Sequence, residues 1–408
     1  MKEPFFTHDR EFYHSLFSML IIVALQNVIA YSVNMADNIM LGAYSQEALS
    51  GAAVVNQVFF IVQQATIAIG DGLIVISSQY WGQHRTEPIR RITGLVFRYT
   101  MAAGLGLILV CTILGDQILR VFTSDPIILH EAHAYLNIIK YTFLLFMITQ
   151  VFLAALRSVE TVKIAFFNSC VSLILNIVIN STLIYGRFGF PELGVTGAAI
   201  GTITSRIVEL LIVLFYLWKK DEKLKFFREP GFSKISPELK ADYLKNARPI
   251  MIGMLLWSVS IPMQTAILGH LSSDAIAANS VATTFYQYMK VIIVAISSVS
   301  AVLIGKSIGS GDLSRVRADG RTLSVIDLGI GILLGAVLFF TRKPLLAYYA
   351  LNPAASVLAN QLIVIMSLVM VGMSYQMPVS SGVLKGGGDA GFMMKMNLIS
   401  TWLIVTPL

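Results

Sequence analysis

The sequence predicts an all-α polytopic membrane protein: two pseudo-symmetric six-helix bundles around a central cleft, the second bundle incomplete, with about eleven membrane helices in all. Three observations predict it. Apolar residues make up 56% of the 408, charged ones only 13%, and the mean hydropathy is +0.73, more than a soluble domain of this size carries. About eleven apolar runs are each long enough to supply the roughly 20 residues a helix needs to cross a bilayer. Residues 37–91 also recur, loosely but without a gap, about 227 positions further on. Leu41-Gly42 becomes Leu268-Gly269, and Ser45, Ala48, Val54, Ala68, Ile69, Val75, Gly82 and Arg90 meet Ser272, Ala275, Val281, Ala295, Ile296, Val302, Gly309 and Arg317. In so apolar a chain, a repeat of half its length marks a transporter with a substrate path between like bundles. A channel or a membrane enzyme has less need of that plan.

The first run, 12–36, follows a polar Met1–Glu11 and no small-residue cleavage site follows it, so it stays in the protein. The second, 48–81, exceeds a straight crossing and is expected to tilt, kink or extend beyond the membrane. Runs at 92–115, 133–156, 163–186 and 194–218 complete a first bundle, 1–218. The stretch 219–245 opens Lys219-Lys220-Asp221-Glu222-Lys223 and carries Pro230-Gly231 and Pro237, the composition of a solvated linker with room for a short surface helix. The second bundle, 246–408, holds runs at 246–269, 275–304, 321–341, 355–384 and 391–408, of which 275–304 and 355–384 are again long. None of these runs alternates as barrel strands do. By the repeat offset the second bundle is expected to fall short of the first by about one and a half helices.

Cytoplasmic loops carry an excess of Lys and Arg. With the N-terminus inside, most of the 30 Lys and Arg fall in cytoplasmic segments, against Arg120, Arg187, Arg342 and Lys343 outside. The expected location is therefore the cytoplasmic membrane with a cytoplasmic N-terminus. The net charge of +7 is read as a topology signal, since no folded basic domain supports nucleic-acid binding. Cys111 and Cys170 lie in membrane runs and are read as packing residues, not a disulfide.

An ionisable group inside a membrane helix costs several kcal/mol unless it is paired, hydrated or used. Asp37 is such a group, five residues before Gly42. A carboxyl there can hold a proton when its site is dry and exchange it for Na⁺ or a cationic substrate when wet. Its repeat mate is Gln264, which hydrogen-bonds but cannot titrate, so coupling through this pair resides in the first bundle. Asn176 and Asn180, spaced i, i+4 on one face, could complete an oxygen cage with Asp37; ordinary interhelical bonding is the alternative. Thr202 is a weaker candidate for the cage, and Asn34, one turn before Asp37, could orient it. Asp71 and Lys290 are further deep charges, each open to a functional or a paired structural role, whereas Arg206 with Glu209, and Asp327, are read as structural. Aromatic and sulfur side chains bind amphipathic cations by dispersion and cation–π attraction. Tyr31, Phe59, Phe60, Trp257, Met263, Phe285, Tyr286, Met373 and Tyr375, with Gln264, are the candidates, though lipid contact or bundle packing is the commoner use of such residues.

Several stretches taken together carry a resemblance. They are Val33-Asn-Met-Ala-Asp-Asn-Ile-Met-Leu-Gly42, Leu175-Asn-Ile-Val-Ile-Asn180, Leu183-Ile-Tyr-Gly186, Leu193-Gly-Val-Thr-Gly-Ala-Ala199, and Leu384-Lys-Gly-Gly-Gly-Asp389 with Trp402 and Pro407-Leu408. In order and spacing the chain resembles the multidrug and toxic compound extrusion (MATE) family over essentially its whole length. The resemblance implies a twelve-helix antiporter, here lacking the last family helix, that expels cationic or amphipathic compounds against an inward flow of H⁺ or Na⁺. Asp37 matches the family's first-helix acid. Asn180 stands where the DinF-like branch commonly has Asp, and 249–257 holds no carboxylate where the NorM-like branch has a functional Glu. One acid among amides suits a single proton or one Na⁺, with the reading leaning to H⁺. No cofactor and no metal beyond such a Na⁺ is expected, and the chain is expected to act as a monomer.

The alternative is a flippase for lipid-linked sugars, which should line its cleft with several cations; only Lys290 is a clear candidate. His130-Glu-Ala-His133 is one residue short of a zinc-protease helix, and Gly329–Gly335 misses dinucleotide spacing. Nothing in the sequence supports an enzyme.

Overall fold

The computed structural model describes residues 5–229, 235–269, 273–346 and 353–405, the side chains of 259, 261–277 and 405 excepted. Every regular element among them is helical: α1 Arg10–Tyr44, α2 Gln46–Gly82, α3 Thr86–Ile113, α4 Gly115–Arg120, α5 Pro126–Ser158, α6 Lys163–Leu183, α7 Gly194–Lys219, α8 Pro237–Gly269, α9 Ser273–Gly309, α10 Leu313–Leu346, α11 Pro353–Pro378 and α12 Ala390–Leu398. π-helical turns Val379–Leu384 and Ile399–Val405 follow α11 and α12. Helices are what a bilayer demands, because only they satisfy every peptide group within one segment.

Among the described residues nine helices are long and apolar enough to cross a membrane: α1, α2, α3, α5, α6, α7, α9, α10 and α11 with its π-helical turn. The expected eleven included 246–269, now α8 with its side chains only partly described, and 391–408, which divides into α12 and a π-helical turn. The helices also run past the apolar limits. α1 continues to Tyr44 beyond the expected end at 36, because Asp37 does not stop the helix when its carboxyl finds a partner on another helix. α8 begins at Pro237, a residue suited to a first helical turn, so the surface helix expected in the linker is the start of α8 itself.

The stretch after α7 is also less solvated than its charge suggests. Leu224 and Phe226 are buried. Asp221 accepts from Leu224 N at 2.9 Å and Phe226 N at 3.1 Å. Arg90 donates to the Leu224 carbonyl at 2.9 Å and pairs with Glu229. At the other end of this bundle, Asp125 caps α5, accepting from Ile127 N at 2.8 Å, with Pro126 as the first helical residue. Asp125→Ala should lower thermal stability in detergent by about 1 kcal/mol, and an unchanged melting curve would remove the cap from the account.

The chain divides into two compact units, Leu25–Leu73 with Arg85–Leu244, and Met1–Ala24 with Ile74–His84 and Lys245–Leu408. The first packs around Leu41, Val55, Leu136, Phe143, Met147 and Ile184. The second has a core of Ala278, Ala282, Ile293, Leu338, Ile363 and Met370. Within the second unit the sequence repeat becomes a physical contact. A Cβ on Gly82 would lie 2.0 Å from the Lys306 carbonyl oxygen, and a Cβ on Gly309 would lie 2.0 Å from that of Gln79. Gly82 and Gly309 are repeat mates, as are Gln79 and Lys306, so the contact is self-complementary in the manner of a twofold axis. Backbone cannot yield as a side chain can, so Gly82→Ala should cost about 1–3 kcal/mol, read as an earlier thermal transition in detergent.

Candidate functional site

α6 turns an unusual face inward. Asn168, Ser172, Asn176 and Asn180, each four residues from the last, are all buried while Ile174, Ile177 and Val178 are exposed. In lipid the apolar face goes outward, and polar side chains must bond within the bundle. Asp37 meets this stripe. It is 8% exposed, and Asn180 Nδ2 donates to its Oδ1 at 2.5 Å. The same nitrogen lies 3.3 Å from Asn176 Oδ1, and Asn176 Nδ2 reaches Thr202 Oγ1 on α7 at 3.5 Å. Asn176 is also in hydrogen-bonding reach of the Asp37 carboxyl. The result is a ladder from α7 through α6 to one acid on α1.

The ladder needs a flat partner. A Cβ on Gly201 would lie 1.9 Å from Asn180 Oδ1, so only glycine lets α7 approach the Asn180 amide. That oxygen is buried without a hydrogen-bond partner among the described residues. The small residues Gly194, Gly197, Ala198, Gly201 and Ser205 form the buried face of α7, a pattern that permits close helix packing. Beyond Thr202 stands the buried Tyr135 of α5, near Thr202 and within electrostatic range of Asp37. Arg206 on α7 acts electrostatically on Asp37 and pairs with Glu209 at 2.7 Å, its guanidinium over the Phe146 ring at 4.9 Å.

The structure thus brings Asp37, Asn176, Asn180 and Thr202 together and corrects two details. Asn34 is exposed, and Asp37 takes its hydrogen bonds from the amides of α6 instead. A residue one turn away on the same helix points its side chain along that helix, whereas α6 faces the carboxyl directly. The α6 amide nearest the acid presents N–H, not oxygen, because a carboxylate is an acceptor. An oxygen cage around a cation would require the Asn180 amide to turn over. Tyr135 and Gly201 were not found in sequence; the small-residue spacing of α7 was the available signal for Gly201, and Tyr135 had none.

The other candidates scatter. Phe59 stacks on Phe143 with centroids 5.7 Å apart and meets Phe146 edge-on, so it packs against a bundle core; its neighbours on α5 were invisible to local pattern. Phe60 is half-buried, and Tyr31 and Tyr375 are exposed. Phe285 and Tyr286 pack on the core of their own unit, with the Tyr286 hydroxyl on Met373 Sδ. Lys290 lies 5.5 Å from the centroid of the Trp257 ring, and Asp71 is in electrostatic range of Arg157. Met263 and Gln264 lie on α8, with side chains outside the described residues. Cys111 and Cys170 are free thiols. Among the described residues no three His, Cys, Asp or Glu side chains gather to hold a metal. In α4, the Arg120 guanidinium and then His133 hold the Asp116 carboxyl below the usual carboxylate range.

Long apolar helices, an internal repeat and a buried acid on an amide ladder fit a polytopic membrane transporter. The family model described as MatE matches twice, over residues 23–182 and 249–408, and the chain belongs to that family. Among curated proteins it is 23% identical to the probable multidrug resistance protein YoeA of Bacillus subtilis (strain 168), over 100% of this chain and 89% of that one. It is 27% identical to the probable multidrug resistance protein NorM of Thermotoga maritima, over 94% and 82%. Among solved structures, the Vibrio cholerae MATE transporter VcmN in the bent form superposes with a TM-score of 0.88 at 17% identity, over 97% of this chain and 89% of that one. A MOP superfamily transporter from Pyrococcus furiosus, described as having a binding pocket of reversed polarity, superposes at 0.85 with 18% identity, over 96% and 86%. The chain is a transporter, not an enzyme, and its family works without a cofactor.

Proposed function

We propose that this transporter is an antiporter that exports cationic or amphipathic small molecules across the cytoplasmic membrane by alternating access, with Asp37 as the coupling acid and H⁺ as the coupling ion. The observation that carries the reading is the ladder Thr202–Asn176–Asn180–Asp37. An acid held by an N–H donor at 2.5 Å has a built environment for its ionised form. Protonation removes the charge and weakens the bond from Asn180 to that of a neutral acceptor, so one proton is converted into a loosening of the contact between α1 and α6. Arg206 lends positive charge that Glu209 partly neutralises, which keeps the site responsive to a single incoming cation. Na⁺ is disfavoured by the N–H groups facing the acid, since it would need oxygens there.

The relatives' descriptions as multidrug resistance proteins support the substrate class. The positive-inside bias supports a cytoplasmic N-terminus, and the monomer remains the working unit of the proposal. Efflux of a fluorescent cationic dye from proteoliposomes under an imposed pH gradient, against an imposed Na⁺ gradient, tests the reading. Efflux driven by pH alone is the expected result. Efflux driven only by Na⁺ would reverse the choice of ion, and the absence of efflux under both would remove the antiport.

A further inference from the structure

Asp327 of α10 is buried, at 1% exposure, and neither of its carboxyl oxygens has a hydrogen-bond partner among the described residues. The phase of α10 fixes where it points. A Cβ on Gly320 would lie 3.9 Å from Val383 Cγ1, one on Gly331 would overlap Ser374 Oγ, and one on Gly335 would lie 2.6 Å from the Ser367 carbonyl oxygen. These three residues therefore face α11 and the π-helical turn after it. Steps of seven and four residues place Asp327 on the same face, between Gly320 and Gly331. It stands opposite the place where α11 ends at Pro378 and the turn Val379–Leu384 begins.

α9 closes the third side. Ser307 Oγ donates to Asp319 Oδ2 at 2.6 Å and pins α9 to α10. Ser300 lies about two turns from Ser307, as Asp327 lies about two turns from Asp319, so the two stand at one level. A Cβ on Gly382 would lie 2.8 Å from Ser300 Cβ, so Ser300 faces the π-helical turn, and its Oγ is likewise buried without a partner among the described residues. Two orphaned polar groups thus converge on a π-helical turn, an irregularity that recurs at functional sites. Among the described side chains, the charges on the packed elements are Lys290 and Lys306 of α9 and Lys385 just past the turn. Lys290 lies over Trp257, Lys306 meets Glu11, and no charged group among the described residues acts on Asp327. On α10 itself Arg315 pairs with Asp9, and Arg321 lies over the Phe5 ring.

A buried carboxylate with neither counter-charge nor donor costs several kcal/mol. We propose that Asp327, with Ser300 and the π-helical turn Val379–Leu384, forms a second proton-binding site, in the C-terminal repeat. The carboxyl holds a proton while the junction of α9, α10 and α11 is closed, as here, and passes it to water when the π-helical turn parts from α9. The site is independent of Asp37 and gives the second repeat a titrating acid of its own, at a place unrelated to Gln264.

Infrared spectroscopy of the full chain in lipid, titrated with pH, reads the site without any transport measurement. One protonated-carboxyl carbonyl component, separate from that of Asp37, should titrate in the parent, persist in Asp37→Asn, disappear in Asp327→Asn and return in Asp327→Glu. Ser300→Ala should keep the fold and shift the band, which holds the test open if the Asp327 variants do not fold. An Asp327→Asn spectrum identical to the parent's, a band that never titrates while the protein stays folded, or an unshifted band in Ser300→Ala would each overturn the proposal. Failure of the Asp37 reading would appear separately, as unaltered dye efflux in Asp37→Asn.

Discussion

Asp37→Asn, reconstituted in liposomes, should retain its fold and lose gradient-driven dye efflux down to the level of protein-free vesicles. Asn has the shape of Asp but no titratable group. Asn180 then donates to a neutral oxygen in place of a charged one, and hydrogen bonds to charged groups are worth about 1.5–3 kcal/mol against roughly 1 for neutral ones. The melting temperature should therefore move little, while transport, which requires the charge at this position to appear and vanish, stops. Efflux at the parental rate under a pH gradient would show that the ladder is structural and that coupling lies elsewhere. A variant that fails to fold is separated from this case by the melting curve, and Asp37→Glu then serves as the charge-retaining comparison.

Gly201→Ala should damage transport almost as severely through one methyl group. The added carbon would stand 1.9 Å from Asn180 Oδ1 and 3.0 Å from Asn180 Cγ, so the amide must leave its place or α6 and α7 must separate. Either movement withdraws Asn180 Nδ2 from Asp37. Overpacking of this kind costs about 1–3 kcal/mol, and efflux should fall well beyond what that loss of stability explains. Gly106→Ala on α3 is the control, since a Cβ there meets nothing within 4 Å; it should leave both stability and efflux close to parental. Equal efflux in the two alanine variants would mean that the contact of α6 with α7 does not position the acid.

The helical class, the repeat and the acid were legible in the sequence, each for its own reason. A membrane interior leaves helices as the way to satisfy the backbone of so apolar a chain, and the offset between Gly82 and Gly309 survives as a reciprocal contact of their backbones. Asp37, Asn176 and Asn180 stood out because polar groups in apolar runs are expensive. The apolar run of α1 ends at 36 while the helix continues to Tyr44, because apolarity marks the span and not the end of the helix. Phe59 looked like a substrate contact by chemistry and is held in a core by Phe143 and Phe146. Asp327, set aside in sequence as a charge near a helix end, became informative only once α9 and the π-helical turn were seen to leave it without a partner.

By itself the sequence determined the solvent this chain lives in, the class of its secondary structure, its duplication and the identity of its expensive residues. All four follow from composition and periodicity, which are local or self-referential properties. Tertiary structure alone decided which group answers each polar side chain: an N–H of Asn180 at Asp37, across 143 positions of chain, made possible by a missing side chain at Gly201. A hydrogen bond depends on the angle and depth at which two distant helices meet, and ångström-scale packing of that kind leaves no trace in the pattern of either helix alone.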